Sequence, residues 1–427
     1  MNFLKKLFLS NKKFSLDTIW LFVSQILMII IGFLVVIIIT KHLGFENFGI
    51  YNQIVSFYAI LSIFFALGLN NSMIKKISNL STADFELEKL ILTNNLGVTF
   101  IQSVLFCSVF YGIILLMPNF FFSDKILIPL IGYILLALPF FNLNKNIAAY
   151  FTGKRNQRQF SLNRMVRWLV LFIVVVVAAL VFKSISLCIF AFFISEFVLF
   201  FYNVFVIRNS LVFRIDKSII FETYRFGIQS YVSEIVSVLN ANVDVLILGY
   251  LLSSYDLGVY SFILLIARTL LIFPGILSQN VNPITAKLWD QQKIEELVMK
   301  YTKVFKLNSI VVLIQFLFLS LLYYFIIIFY KTDLKQTFHL FLIMACGMFI
   351  YALISWAGGT FIMIGQNKIN NIRTMSVLFL TSSILFFLGF NFGLLGSSIA
   401  VLINSIAQFA MIFGLLIKMM RSKTSQI

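Results

Sequence analysis

The sequence predicts an all-α polytopic membrane protein, twelve transmembrane helices in two six-helix bundles with both termini cytoplasmic. Three observations predict it. Apolar residues make up 61% of the 427 positions and charged residues only 11%, against about half and a quarter in soluble domains. So few charges cannot solvate the surface that a soluble chain of this length exposes. The apolar residues gather into twelve runs, and a motif from the start of the chain returns near its middle.

Met1 to Asp17 carries Lys5, Lys6, Lys12 and Lys13, with Phe3, Leu4, Leu7 and Phe8 at helical spacing, the pattern of a cytoplasmic interfacial helix. The run Thr18 to Thr40 that follows is too long for a signal-peptide core and lacks an A-x-A cleavage site, so it reads as a retained span. The twelve spans lie near 18–40, 49–69, 91–117, 126–150, 165–182, 185–207, 226–252, 257–281, 304–330, 338–364, 373–391 and 393–417. Each fits a hydrocarbon core of about 30 Å once tilt is allowed. The turns between spans five and six and between eleven and twelve are very short. The domains expected are residues 1–17 as interfacial segment, 18–207 and 226–417 as the two bundles, 208–225 as cytoplasmic linker and 418–427 as tail. Lys287 to Asn308 places Ile294, Leu297, Val298, Tyr301, Val304 and Phe305 on one helical face, which predicts a surface helix leading into span nine.

Lys and Arg set the orientation. Of the 33, 27 fall on the side of the termini, five on the other (Lys41, Lys125, Lys183, Lys331 and Lys335), and Arg268 within a span. Both termini are therefore expected in the cytoplasm. The net charge of +17 is mostly this topology signal; it attracts anionic membrane lipids and gives no support to nucleic-acid binding. Cys107, Cys188 and Cys346 lie far apart in apolar runs without ligand spacing, so neither a disulfide nor a metal site is expected. His42 and His339 fall near span ends, where they read as interfacial polar residues.

The repeat pairs KHLGFENFGIYNQIVS, residues 41–56, with the segment around Gly258-Val259-Tyr260, at a shift of 209. A second pairing sets Gly153 on Gly365 at a shift of 212. Six helices per half is an even number, so the halves share one orientation as parallel repeats enclosing a cleft. Pro139 and Pro274-Gly275 are expected to interrupt spans four and eight.

Four ionisable groups fall well inside spans: Glu196, Glu234, Asp244 and Arg268. Each costs about 2.5–3.5 kcal/mol at a helix centre on insertion scales, so they should face a bundle interior or a wet cavity. Asp244 and Arg268 are matched in depth and able to pair; an inert pair between helices and a substrate role are both open for Asp244. Arg268 suits a phosphate-bearing substrate. Glu196 and Glu234 read equally as ion-coupling sites or as helix-pairing residues. At the 209 shift Glu234, Asp244 and Arg268 fall on Gln25, Val35 and Ala59, so the buried charges are not duplicated with the scaffold. Lys145, Lys154, Arg155, Arg158, Arg164 and Arg167 cluster at the cytoplasmic exit of span four, and positive-inside topology accounts for most of them. Lys145, about two turns before Gly153, is the exception, placed inside the mouth of the cleft. Gln25, Asn240 and Asn242 are candidate polar groups of the cavity. No phosphate loop, HExxH, GxSxG or paired-carboxylate motif is present, so no catalytic residue, cofactor or ATP-driven step is expected.

The basic start, LGFENFGIYNQIVSFY after span one and VDVLILGYLLSSYDLGVYS around spans seven and eight make the chain resemble the bacterial polysaccharide (O-antigen) flippases of the MATE-like multidrug/oligosaccharidyl-lipid/polysaccharide (MOP) exporter superfamily. The resemblance covers essentially the whole chain. It implies translocation of an undecaprenyl-pyrophosphate-linked glycan between leaflets of the inner membrane, coupled to H⁺ or Na⁺, with Arg268 and Lys145 as the cations of the cleft. Polysaccharide polymerase and glycosyltransferases would be its partners on the same pathway. The deep acids also suit a MATE-type cation-coupled drug antiporter. A membrane glycosyltransferase or polymerase shares the composition, but the longest outer loop, about Lys331 to Thr337, is small for chemistry on a sugar. A non-transporting scaffold leaves the buried charges unexplained.

Overall fold

The computed structural model describes residues 12–80, 84–118, 126–212, 214–330, 334 and 337–424. Most of the interfacial segment before residue 12, Lys125, and the Lys331 to Thr337 loop apart from 334 and 337 lie outside these residues. Among the described residues the chain is helical throughout, in the order α1 (Lys12–Phe64), α2 (Leu69–Ser78), α3 (Phe85–Leu116), α4 (Leu127–Gly153), α5 (Gln157–Leu180), α6 (Ile185–Ile207), α7 (Lys217–Leu251), α8 (Ser254–Arg268), α9 (Ile272–Asp290), α10 (Ile294–Tyr330), α11 (Phe338–Ser355), α12 (Thr360–Met363) and α13 (Asn367–Thr424). Ten continuous helical stretches among these residues are long and apolar enough to cross a bilayer. The two longest each hold a non-helical glycine, Gly44 in α1 (φ 87) and Gly393 in α13 (φ 57). Divided there, the ten stretches become the twelve expected spans. Positive φ is the reason glycine stands at both turns.

The chain packs as two compact units, Met1–Val238 and Leu239–Ile427. The division falls inside α7. Its first turns pack within the first unit, where Lys76 meets Glu222 at 3.3 Å and the Tyr224 hydroxyl donates to Gln102 at 2.5 Å. Asp216 opens α7 by accepting from the backbone and hydroxyl of Ser218 and from the Ile219 amide. These bonds hold its carboxyl below the usual carboxylate range.

The internal repeat is visible in the backbone, with one change of register. Gly44 and Ser253, its partner at the 209 shift, make the same inter-helix turn by different means. Gly44 uses positive φ, whereas Ser253 is extended and accepts from the Asp256 amide at 3.1 Å as an N-cap. At the second marker, Gly365 (φ 77) matches Arg155 (φ 54), not Gly153. The Asn156 amide donates to Phe151 O and the Gln366 amide to Phe361 O, both at 2.8 Å, which fixes the shift there at 210. The pairing of Gly153 with Gly365 was misleading because Gly153 serves another purpose: a Cβ on it would lie 2.8 Å from Ile77 Cβ.

Three further expectations change. Ile294, Leu297 and Tyr301 are buried as the predicted face requires, but they form the first turns of continuous α10, not a separate surface helix. Leu297 and Tyr301 share a core with Trp356 and Phe361, and the Tyr301 hydroxyl lies 2.8 Å from Thr285 Oγ1 and 2.7 Å from Thr360 Oγ1. Pro139 sits inside α4 without ending it. Span eight is interrupted, by a 3₁₀ turn at Thr269–Leu271, and Pro274 falls in the first turn of α9 where its missing N–H has no helical partner to lose.

Close packing in the second unit depends on Gly347 of α11, where a Cβ would lie 2.8 Å from the Leu402 Cα of α13. Small residues let transmembrane backbones approach in this way. A Gly347→Leu variant is expected to force these helices apart, lowering the melting temperature in detergent by several degrees and reducing membrane abundance.

Candidate functional site

The first unit holds a cationic pocket built by three helices. Asn156 accepts from the Gln159 amide at 3.2 Å and starts α5 at Gln157. That start puts Arg164 and Arg167 one turn apart on the same helical face, inside the helix. Opposite, α4 contributes Phe141, Asn144, Lys145 and Ala148, and α6 contributes Glu196 and Leu199; Phe160 and Asn163 complete a cavity of about 200 Å³. Three cations line it against one carboxylate.

Glu196 is fully buried and well satisfied. Its carboxylate lies 2.5 Å from Arg167 Nε and accepts from Asn144 Nδ2 at 2.9 Å and from the Tyr58 hydroxyl at 3.3 Å. Asn203 donates to Asn144 Oδ1 at 3.0 Å and so orients that amide. The Arg167 guanidinium lies over the Phe141 ring, 4.7 Å from its centroid. Only a well-hydrogen-bonded ion pair offsets the desolvation of two charges, and this one meets the condition.

The other cations are held more loosely. Lys145 Nζ donates to Glu234 Oε1 at 2.8 Å, and Asn71 Nδ2 donates to Glu234 Oε2 at 3.2 Å; Lys145 and Glu234 are half-buried. Arg164 donates to Oε1 of the exposed Gln25 at 2.7 Å. Asn163 lines the cavity at 3% exposure, and neither atom of its amide has a hydrogen-bond partner among the described residues. Buried amides rarely stay unsatisfied. A cluster of fixed cations beside a spare amide donor is suited to bind an anion with oxygen acceptors.

Lys145, Glu196, Glu234 and Gln25 are therefore gathered in or next to one pocket, as sequence candidates. Arg164, Arg167, Asn144 and Asn163 were not among them. The sequence places span five near 165, so these arginines read as loop charges of topology, whereas α5 begins eight positions earlier. A usable signal was present: Arg167 at the edge of one apolar run and Glu196 inside the next are charges of opposite sign on consecutive helices.

The second unit holds a smaller site. Arg268 Nη2 donates to Asp244 Oδ2 at 2.8 Å, the Tyr260 hydroxyl donates to the same oxygen at 3.2 Å, and Arg268 Nη1 lies 3.4 Å from Ala241 O. Asp244 is 5% exposed, and its Oδ1 has no partner among the described residues. The cavity here is about 30 Å³, lined also by Asn240, Thr381 and Asn404. That is the volume of about one water molecule. Asn240 donates to Thr374 O at 3.1 Å; Asn242 is half-buried and does not line the pocket.

Comparison with solved structures gives matches over nearly the whole chain. A multidrug resistance MATE family transporter of the MOP superfamily, in an inward-facing conformation, aligns with TM-score 0.77 and 13% identity, covering 92% of this chain and 95% of its own. Lipid II flippase MurJ, in an inward closed conformation, aligns with TM-score 0.73 and 17% identity, covering 94% and 87%. A MOP superfamily transporter from Pyrococcus furiosus, described as having a binding pocket of reverse polarity, aligns with TM-score 0.55 and 12% identity, covering 96% of each chain. At these identities the likeness shows the MATE/MurJ-like fold, that of a multi-pass membrane protein. No curated protein sequence matches. The model of one sequence family, "Polysaccharide biosynthesis protein", matches residues 16–289, well over half of the chain. The protein belongs to the polysaccharide biosynthesis protein family.

Proposed function

We propose that this protein is a flippase of the bacterial inner membrane that moves an undecaprenyl-pyrophosphate-linked oligosaccharide, an O-antigen or similar repeat unit, from the cytoplasmic to the periplasmic leaflet by alternating access. The observation that carries the reading is the pocket of Lys145, Arg164 and Arg167 with the spare amide of Asn163. Before substrate binds, Glu196 compensates Arg167. The pyrophosphate oxygens then take over that role, with Arg164 and Lys145 as further partners. Transport makes and breaks no covalent bond, so no catalytic residue is needed.

The second site fits ion coupling better than substrate binding. A cavity the size of one water cannot take a phosphate group, whereas a buried carboxylate oxygen without a partner suits H⁺ or Na⁺. The same feature favours the second reading, a MATE-type Na⁺- or H⁺-coupled antiporter of drugs or organic cations. Cells that depend on this gene, when depleted of it, separate the two readings. The flippase predicts lipid-linked glycan accumulating on the cytoplasmic side, while the antiporter predicts normal glycan and raised sensitivity to organic cations. In the same cells Lys145→Ala is expected to lower surface glycan severalfold at unchanged protein abundance, read by gel profile and immunoblot, since its half-buried pair with Glu234 contributes little to stability.

A further inference from the structure

The largest cavity described in the first unit is not the cationic pocket. An apolar groove of about 770 Å³ runs along α3, α4 and α6, lined by Gly97, Phe100, Phe140, Leu143, Phe200 and Val204 among others, and it ends at Arg214 and Ile215. It uses different residues of α4 and α6 from the cationic pocket: Phe140, Leu143 and Ile147 of α4 here, Phe141, Asn144 and Ala148 there. Its volume is that of a ligand site, walled by hydrocarbon with one polar end.

The polar end is built. Asn94, buried at 5% exposure, donates to Arg214 O at 2.8 Å and accepts from the Asp216 amide at 2.9 Å, and the Val212 amide donates to Thr93 Oγ1 at 3.0 Å. The loop that carries Arg214 is thus pinned to α3. The carboxylate of nearby Asp216 is occupied in capping α7. The exposed Arg214 guanidinium makes no side-chain hydrogen bond or close salt bridge among the described residues, and its electrostatic neighbour is Asp216. Phe100 (43% exposed) and Ile101 (62%) show that the groove is open along its flank, where lipid is the solvent.

We propose that this groove is a specific site for one anionic phospholipid, its phosphate on Arg214 and an acyl chain along Phe100, Phe140 and Phe200. An exposed guanidinium at the end of a hydrocarbon channel selects for negative charge as well as for a chain. The carrier lipid of the proposed substrate is the poorer fit, because its anionic group belongs in the separate cationic pocket between α4, α5 and α6.

The test is native mass spectrometry of the full-length protein titrated with phosphatidylglycerol or phosphatidylcholine. Wild type is expected to bind the first phosphatidylglycerol about fivefold more tightly, the contribution of one basic residue near the membrane surface. Arg214→Gln is expected to erase that preference. Gly97→Leu is expected to weaken the binding of both lipids: a Cβ at Gly97 meets nothing within 4 Å, so the new side chain enters the groove without displacing protein. Equal binding of the two lipids by wild type overturns the proposal. So does unchanged first-lipid binding in Gly97→Leu, or displacement of phosphatidylglycerol by an equal concentration of undecaprenyl phosphate. Glycan transport is not the readout, so failure here leaves the flippase reading standing, and the reverse also holds.

Discussion

A double variant, Arg167→Gln with Glu196→Gln, reaches the membrane at near-normal abundance and exports no detectable glycan. The single Arg167→Gln variant does worse on abundance, because it leaves the fully buried Glu196 carboxylate without its cation. Breaking a buried pair on one side costs about 3–5 kcal/mol, whereas removing both charges together is often nearly neutral. The second substitution therefore restores the fold. Glutamine at 196 can accept from Asn144 through its carbonyl oxygen and donate through its amide nitrogen to the Tyr58 hydroxyl, so both contacts survive with one of them reversed. Transport is not restored, since the guanidinium that would hold a phosphate is absent. Each lost charge-assisted hydrogen bond is worth about 1.5–3 kcal/mol, a loss of roughly 10- to 100-fold. Immunoblots of membranes and gels of surface glycan from the same cells check both halves. Abundance and export recovering together in the double variant would assign the pair a purely structural role.

Arg268→Ala is expected to abolish surface glycan, with Arg268→Lys restoring part of it. Arg268 supplies the charge that compensates Asp244, which is otherwise held only by the Tyr260 hydroxyl among the described residues. With the guanidinium gone, the buried Asp244 carboxylate is left without its cation, and the site loses the charge balance that exchange of an ion requires. Lysine keeps the charge but not the planar fork that meets Asp244 Oδ2 and Ala241 O together. The Arg268 side chain is 40% exposed, so its removal lets water reach Asp244 and spares the fold much of the cost; abundance should stay within about twofold of wild type. Export at wild-type level in the alanine variant would remove Arg268 from the mechanism.

How much of this was legible beforehand follows from what periodicity and charge report. The twelve spans were readable because a bilayer demands apolar runs of fixed length. Gly44 and Gly393 fall where those runs break, although the chain is helical on either side of each turn. The Asp244 and Arg268 pairing was readable from matched depth in adjacent spans. Arg167 was not read, because a cation at the edge of a span reads first as topology, and only the position of the Asn156 cap shows that it lies inside α5. The partnership of Lys145 with Glu234 joins positions 89 residues apart, beyond anything spacing in one sequence can report. The second repeat marker failed for a physical reason: glycine serves a close helix contact at 153 and a positive φ at 365, so like residues were doing unlike jobs.

The central claim is that the pocket of Lys145, Arg164 and Arg167 recognises the pyrophosphate of a lipid-linked glycan. The most direct measurement is binding of undecaprenyl-pyrophosphate-linked oligosaccharide to the purified protein in nanodiscs, set against the same molecule lacking its pyrophosphate and against the Arg167→Gln, Glu196→Gln variant. The account predicts saturable binding by wild type alone, lost when either the pyrophosphate or Arg167 is removed. Equal binding of the molecule without pyrophosphate, or undiminished binding by the double variant, would contradict it.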